Sequence, residues 1–114
     1  MSDSSEGPIE WVETDKFVMP VIPEKLGIDP RTLAVLHCVS FLELSGDNTV
    51  DPDWAVEALE HVAHYLLRLG NNDLAELKRD TAMIASWAES KQMPPHFIDL
   101  VRHFTDHCGF EPEE

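Results

Sequence analysis

Histidines and a carboxylate that could act together gather near the C-terminal end of the chain. His96, His103 and His107 fall on one flank of a segment with helical periodicity, and Asp99 stands one turn before His103. Two imidazoles four residues apart on a helix can reach one metal ion, and a carboxylate a turn away can join them. Asp99, His103 and His107 are therefore the candidate ligands for zinc or a similar ion. The pattern is unspecific, because no glutamate stands between the histidines in the metalloprotease arrangement and no cysteine pair lies nearby. The same flank would gain positive charge as pH falls through the histidine range. The sequence demands no metal and no cofactor.

The other three of the six histidines read more simply. His61 and His64 lie on a polar helix face beside Glu57, Glu60 and Arg68, as solvated residues loosely paired with acids. His37 falls inside an apolar segment and is expected to be a hydrogen-bonded core histidine. Catalysis finds little support. His37, Cys38 and Ser40 are too close along a helix to face one another as nucleophile and base, and Cys108 beside His107 fails for the same reason. With only five glycines, the chain has no glycine-rich phosphate loop and no nucleophile elbow. The acids at alternate positions from Asp47 to Asp53 suggest calcium, but Pro52 and Ala58 stand where a helix-loop-helix site needs glycine and glutamate.

Recognition rather than reaction is left to the tryptophans, which are enriched at binding hot spots. Trp54 falls in the first turn of a helix, on the side away from its apolar stripe, and needs the N-terminal arm or a partner to cover it. Trp87 sits on a stripe's edge and is expected to pack within the bundle. Trp11 lies in the arm.

The elements that must position these residues announce themselves by their ends. Asp29-Pro30 is an N-cap followed by a proline suited to a first helical turn, and Ser45-Gly46 closes the segment. Between them, Thr32 to Leu44 is apolar nearly all round. Such a helix is either packed on every side or meets another subunit with its outer face. Asp51-Pro52 opens a second helix, expected to end at Gly70, with Ala55, Leu59, Val62, Ala63, Leu66 and Leu69 in one stripe. After Gly70-Asn71-Asn72, with Asn72 as cap, a third helix runs from Asp73 to about Gln92, its inner stripe Leu74, Leu77, Thr81, Ile84 and Ala88. The short connection predicts that the second and third helices pack antiparallel. Pro94-Pro95 starts a last helix reaching Gly109, with Phe97, Leu100, Val101, Phe104 and Cys108 facing in.

Ahead of the bundle, Pro20 and Pro23 deny residues 8–28 a regular helix and predict an extended arm lying across it, with a hairpin turning at Thr14-Asp15 as the weaker competitor. Residues 1–7 and 111–114 are polar or acidic tails with almost nothing to bury, expected to be disordered. The expected fold class is all-α: a four-helix, bundle-like single domain over residues 29–110 with an extended N-terminal arm.

Composition narrows the function classes further. The net charge of −14 disfavours nucleic acid and anionic membrane surfaces, and would suit a basic protein partner. Half of that excess lies outside residues 24–110, whose own net charge is −7. No apolar run approaches the roughly 20 residues of a membrane span, and no secretory leader is visible. Cys38 and Cys108, on predicted helix interiors, read as buried structural thiols of a reduced, cytoplasmic protein. These features together predict a small acidic protein–protein interaction module without catalytic activity, able to pair with a basic partner or with a second copy of itself. The alternative is a metal- or ligand-binding protein using Asp99, His103 and His107.

Overall fold

Local capping chemistry sets where the helices begin. The structure, a computed structural model, describes residues 14–108, apart from the side chain of His107. Helix α1 spans Pro30–Leu44, and Asp29 caps it by accepting from the Arg31 N–H at 2.8 Å. Helix α2 spans Pro52–Leu66, and Asp51 accepts from the N–H groups of Asp53 and Trp54 at 2.9 and 3.4 Å. Both starts follow the sequence, because an acceptor before a proline satisfies orphan donors without any tertiary help. Helix α3 spans Asn71–Ser90 but begins on Gly70, with no side-chain cap from Asn72. Helix α4 spans Pro95–Arg102 and α5 spans Phe104–His107. Among the described residues there is no strand. The molecule is all-α and bundle-like.

The expected single last helix is broken. His103 leaves the helical region at φ −107° and ψ 21°, so α4 stops at Arg102 and a short new turn starts at Phe104. The α2 helix also ends four residues before Gly70. After α3, Gln92 takes the left-handed conformation at φ 57°, and the Met93 N–H donates back to the Ala88 carbonyl at 3.1 Å. That turn buries Met93 and swings α4 onto α3.

The centre of the molecule is α4, not α1. Helix α4 packs on α3, on α1 and on α5, whereas α2 packs chiefly on α1. The expected antiparallel α2–α3 pair is therefore not formed as a packing unit, although the connection between the two helices is short. Ile84, Ala85 and Ala88 of α3 and Phe97 and Val101 of α4 are completely buried. In α1 only Leu36, Val39 and Ser40 are buried, while Ala34, His37 and Cys38 are exposed. The expectations of a core His37 and a buried Cys38 are overturned by this placement: the apolar segment is a helix, but only one of its sides meets the core.

The arm lies across the bundle as an irregular extended segment over residues 14–23, and a 3-10 turn, Glu24–Leu26, ends it before Gly27 at φ 69°. Phe17, Met19 and Ile22 are buried, with Val18 and Val21 pointing out. Phe17 stacks on Phe97 with ring centroids 5.4 Å apart and meets the edge of His96 at 6.1 Å. Its N–H donates to Ser45 Oγ at 2.9 Å, and the Gly46 N–H donates to the Asp15 carbonyl. A Cβ at Gly46 would meet the Asp15 side chain, so any larger residue there would have to displace that carboxylate. Residues 1–13 and 109–114, with the tails, Trp11, the first strand of the competing hairpin and the expected helix end at Gly109, lie outside the described residues.

Candidate interaction site

Helix α2 is the least buried long element, and its composition explains why. Its inner stripe contains two alanines, Ala55 and Ala63, and only Ala55 reaches full burial. Leu59, Val62, Ala63 and Leu66 lean against the core as half-buried residues. Small side chains on that stripe hold α2 on α1 without filling the space beyond it, and two clefts open along the seam. One, of about 230 Å³, is walled by Val35, Leu36, Leu66, Leu69, Leu77 and Phe104. The other, of about 280 Å³, is walled by Val39, Leu59, Val62, Leu100, Phe104 and Cys108. Phe104 is common to both and divides them. The break at His103 thus has a structural consequence, since Phe104, the first residue after it, forms the partition beneath α2.

The flanks of α2 are also apolar. Trp54 is 69% exposed, Tyr65 60%, Val56 57% and Leu67 48%. Trp54 and Tyr65 are eleven residues apart, about three helical turns, and share one flank, while Val56 and Leu67 share the other. Arg68 stacks over the Tyr65 ring at 4.9 Å, and His64 meets the ring edge at 5.9 Å. The described part of the arm does not cover Trp54.

Charge surrounds the first cleft. The Arg31 guanidinium donates to both oxygens of Asp29, from Nε at 3.2 Å and from Nη2 at 2.8 Å. This pairing holds the Asp29 carboxyl below its ordinary range and raises Arg31. Asp73 and Glu76, on the first turns of α3, stand on the same rim. Among the described residues, Glu43 is the one charged residue lining the second cleft. Inside that cleft, burial pushes the Cys108 thiol up to about 11, which makes it a poor nucleophile at neutral pH. Cys38, by contrast, is exposed, and the two thiols are not joined.

Of the expected Asp99, His103 and His107 cluster, the side chains of Asp99 and His103 are described. Asp99 and His103 are both exposed, but His103 Nδ1 faces Asp106 Oδ2 at 3.6 Å rather than the Asp99 side chain. Its backbone N–H donates to the Asp99 carbonyl at 3.0 Å. Because His103 is itself the break, the regular four-residue register assumed for His103 and His107 is interrupted there. Among the described residues no three His, Cys, Asp or Glu side chains converge on a metal position. The His107 side chain lies outside the described residues. His61 and His64 are exposed, as their polar face implied. No described helix is long and apolar enough to cross a membrane.

Trp54 is exposed, as its position off the apolar stripe implied, whereas both clefts and the acids on their rims are not evident from the sequence. The available signal was the pair of alanines in the α2 stripe, which cannot fill the volume a leucine would. Asp80 was also missed: it is 2% exposed in α3, with Arg79 at 3.6 Å. The chain matches no family model, no curated protein and no solved structure.

Proposed function

We propose that this protein is a protein–protein interaction module without a catalytic role, and that α2, with the open seam beneath it, is its recognition element. The observation that carries this reading is the exposure of Trp54 and Tyr65 on one flank of a helix whose inner face borders two unfilled apolar clefts. Tryptophan, tyrosine and arginine are the residues that dominate binding hot spots, and Trp54, Tyr65 and Arg68 supply one of each. Exposed apolar surface concentrated on a single element marks a contact surface more often than it marks chance. A titratable group tuned for chemistry would need a cleft and a partner charge together; Cys108, the strongly shifted group among those described, is shifted toward inertness.

The reading is tested by selecting helical peptides from a display library against the folded chain and mapping their sites by amide chemical shifts. The expected result is a footprint on α2 and on the residues of α1 and α5 that face the seam, with Trp54→Ala weakening binding at least about tenfold. A footprint on the outer surface of α3, or no selected binder at all, would retire it.

A further inference from the structure

The two clefts differ at their mouths, and the difference points to the chemistry of what enters them. On the first rim three carboxylates, Asp29, Asp73 and Glu76, face one lining cation, Arg31, and Arg31 is already committed to Asp29 through two hydrogen bonds. Glu76 has a long contact to Arg79 at 3.4 Å, and Arg79 is shared with Asp80 at 3.6 Å. Arg31 also attracts Asp73 and Glu76 at longer range, but one cation against three carboxylates leaves the mouth net negative. Below it the walls are leucine, valine and phenylalanine. An apolar throat under an anionic mouth fits a side chain with an apolar stem and a cationic head, which is lysine or arginine. A volume of about 230 Å³ suits one such side chain; for scale, an engineered cavity of about 150 Å³ takes benzene. The second cleft, with Glu43 as its sole charge among the described residues, suits an apolar anchor.

Their spacing fixes the form of the ligand. On α1, Val39 and Glu43 border the second cleft and Thr32, Val35 and Leu36 the first, so the two are displaced by roughly seven residues along that helix, or about 10 Å. Residues seven apart on another helix span the same distance. On the strength of the docking role already assigned to α2, we propose that the seam receives a basic amphipathic helix of a partner protein. An apolar side chain enters the cleft at Val62, and a lysine or arginine seven residues away enters the cleft between Asp73 and Glu76. A second copy of this chain is the poorer occupant, since a net charge of −14 sets like charges against acidic rims.

The probe is a library of alanine- and glutamine-based helices in which two positions seven residues apart are varied over Leu, Phe, Lys, Arg, Glu and Gln. Enrichment of an apolar residue at one position and Lys or Arg at the other is expected. For a selected helix, the double variant Asp73→Asn, Glu76→Gln should weaken binding about tenfold, and methionine in place of the helix's cation should do the same. Raising salt should weaken binding further, while Asp47→Asn, in the α1–α2 connection, should leave it unchanged. Circular dichroism of the double variant checks that the exposed substitutions leave the fold intact. If helices carrying Gln or Leu at the second position bind equally well with the same footprint, the cationic assignment falls and the docking role of α2 stands. If no helix binds, or the chain instead dimerises through α2, both fall.

Discussion

The α3–α4 half of the molecule is closed and the α1–α2 half is open, although the helices of the open half are the more apolar. On the closed side Ile84, Ala85, Ala88, Phe97 and Val101 have no solvent exposure, and the left-handed Gln92 turn holds the two helices together. On the open side Leu36, Val39, Ser40 and Ala55 are the only buried residues of two fifteen-residue helices. The contrast teaches that neither apolar content nor side-chain size alone decides whether packing closes: Ala85 and Ala88 are fully buried where α4 lies against α3, whereas Ala63 stays half-buried where no element fills the seam under α2. The tightly packed core resides on one side, and the exposed apolar side chains of α2 on the other.

The largest expected effect breaks the closed half. Phe97→Ala removes a fully buried ring that also supports Phe17, and should cost about 3–5 kcal/mol in denaturant unfolding. Leu66→Ala, at a half-buried site that already borders a cleft, should cost only about 1–2 kcal/mol. Equal costs would mean that α2 is packed as tightly as α4.

The next effect is one of pH. In the unfolded chain the Cys108 thiol ionises near its ordinary value of 9.0, whereas in the folded protein burial holds the proton on to about 11. Below pH 9 both forms carry the proton and the group adds no pH dependence. Between 9 and 11 the unfolded chain has released a proton that the folded chain keeps, so rising pH favours unfolding. Stability should fall across that window by on the order of 1–2 kcal/mol. Denaturant curves at pH 8.5 and 10.5 should show a smaller fall in Cys108→Ala, and identical falls would place the thiol in contact with water.

At the start of α2, Asp51→Ala deletes the acceptor for two backbone donors, at a cost of about 1 kcal/mol. Because α2 is held by few buried contacts, amide exchange should quicken across α2 while the amides of Ile84 and Val101 keep their protection. Uniform loss of protection in both halves would show a single cooperative unit.

What the sequence made legible divides along the same line. The starts at Asp29-Pro30, Asp51-Pro52 and Pro94-Pro95 were readable because capping and proline geometry act within one turn of chain. Phe97, Leu100, Val101, Phe104 and Cys108 were readable as core because helical period alone places them on one face. The break at His103 was not readable, since Arg102-His103-Phe104 contains neither glycine nor proline. Nor was the choice of α4 over α1 as the central helix: an apolar surface does not encode which of its sides another element will cover, and Ala34 and Cys38 are uncovered. The exposure of Trp54 was legible because its place off the stripe needs only local geometry. The clefts were not, because they arise where α2 fails to reach residues far away in the chain.

The smallest change in stability carries the sharpest test of that openness. Ala63 borders the second cleft and is half-buried, so Ala63→Leu adds apolar volume where space exists. In a filled core such an enlargement strains its neighbours and destabilises, typically by about 1–3 kcal/mol. Over an unfilled cleft it should stabilise by roughly 0.5 kcal/mol, as cavity-filling substitutions do. The same leucine would occupy the position of an incoming anchor, so a helical ligand selected on the native chain should bind the variant about tenfold more weakly. A gain in stability with undiminished binding would separate the cleft from the docking surface. A loss of stability would show that the gap closes in solution, and the difference between the two halves would then lie in side-chain exposure rather than in packing.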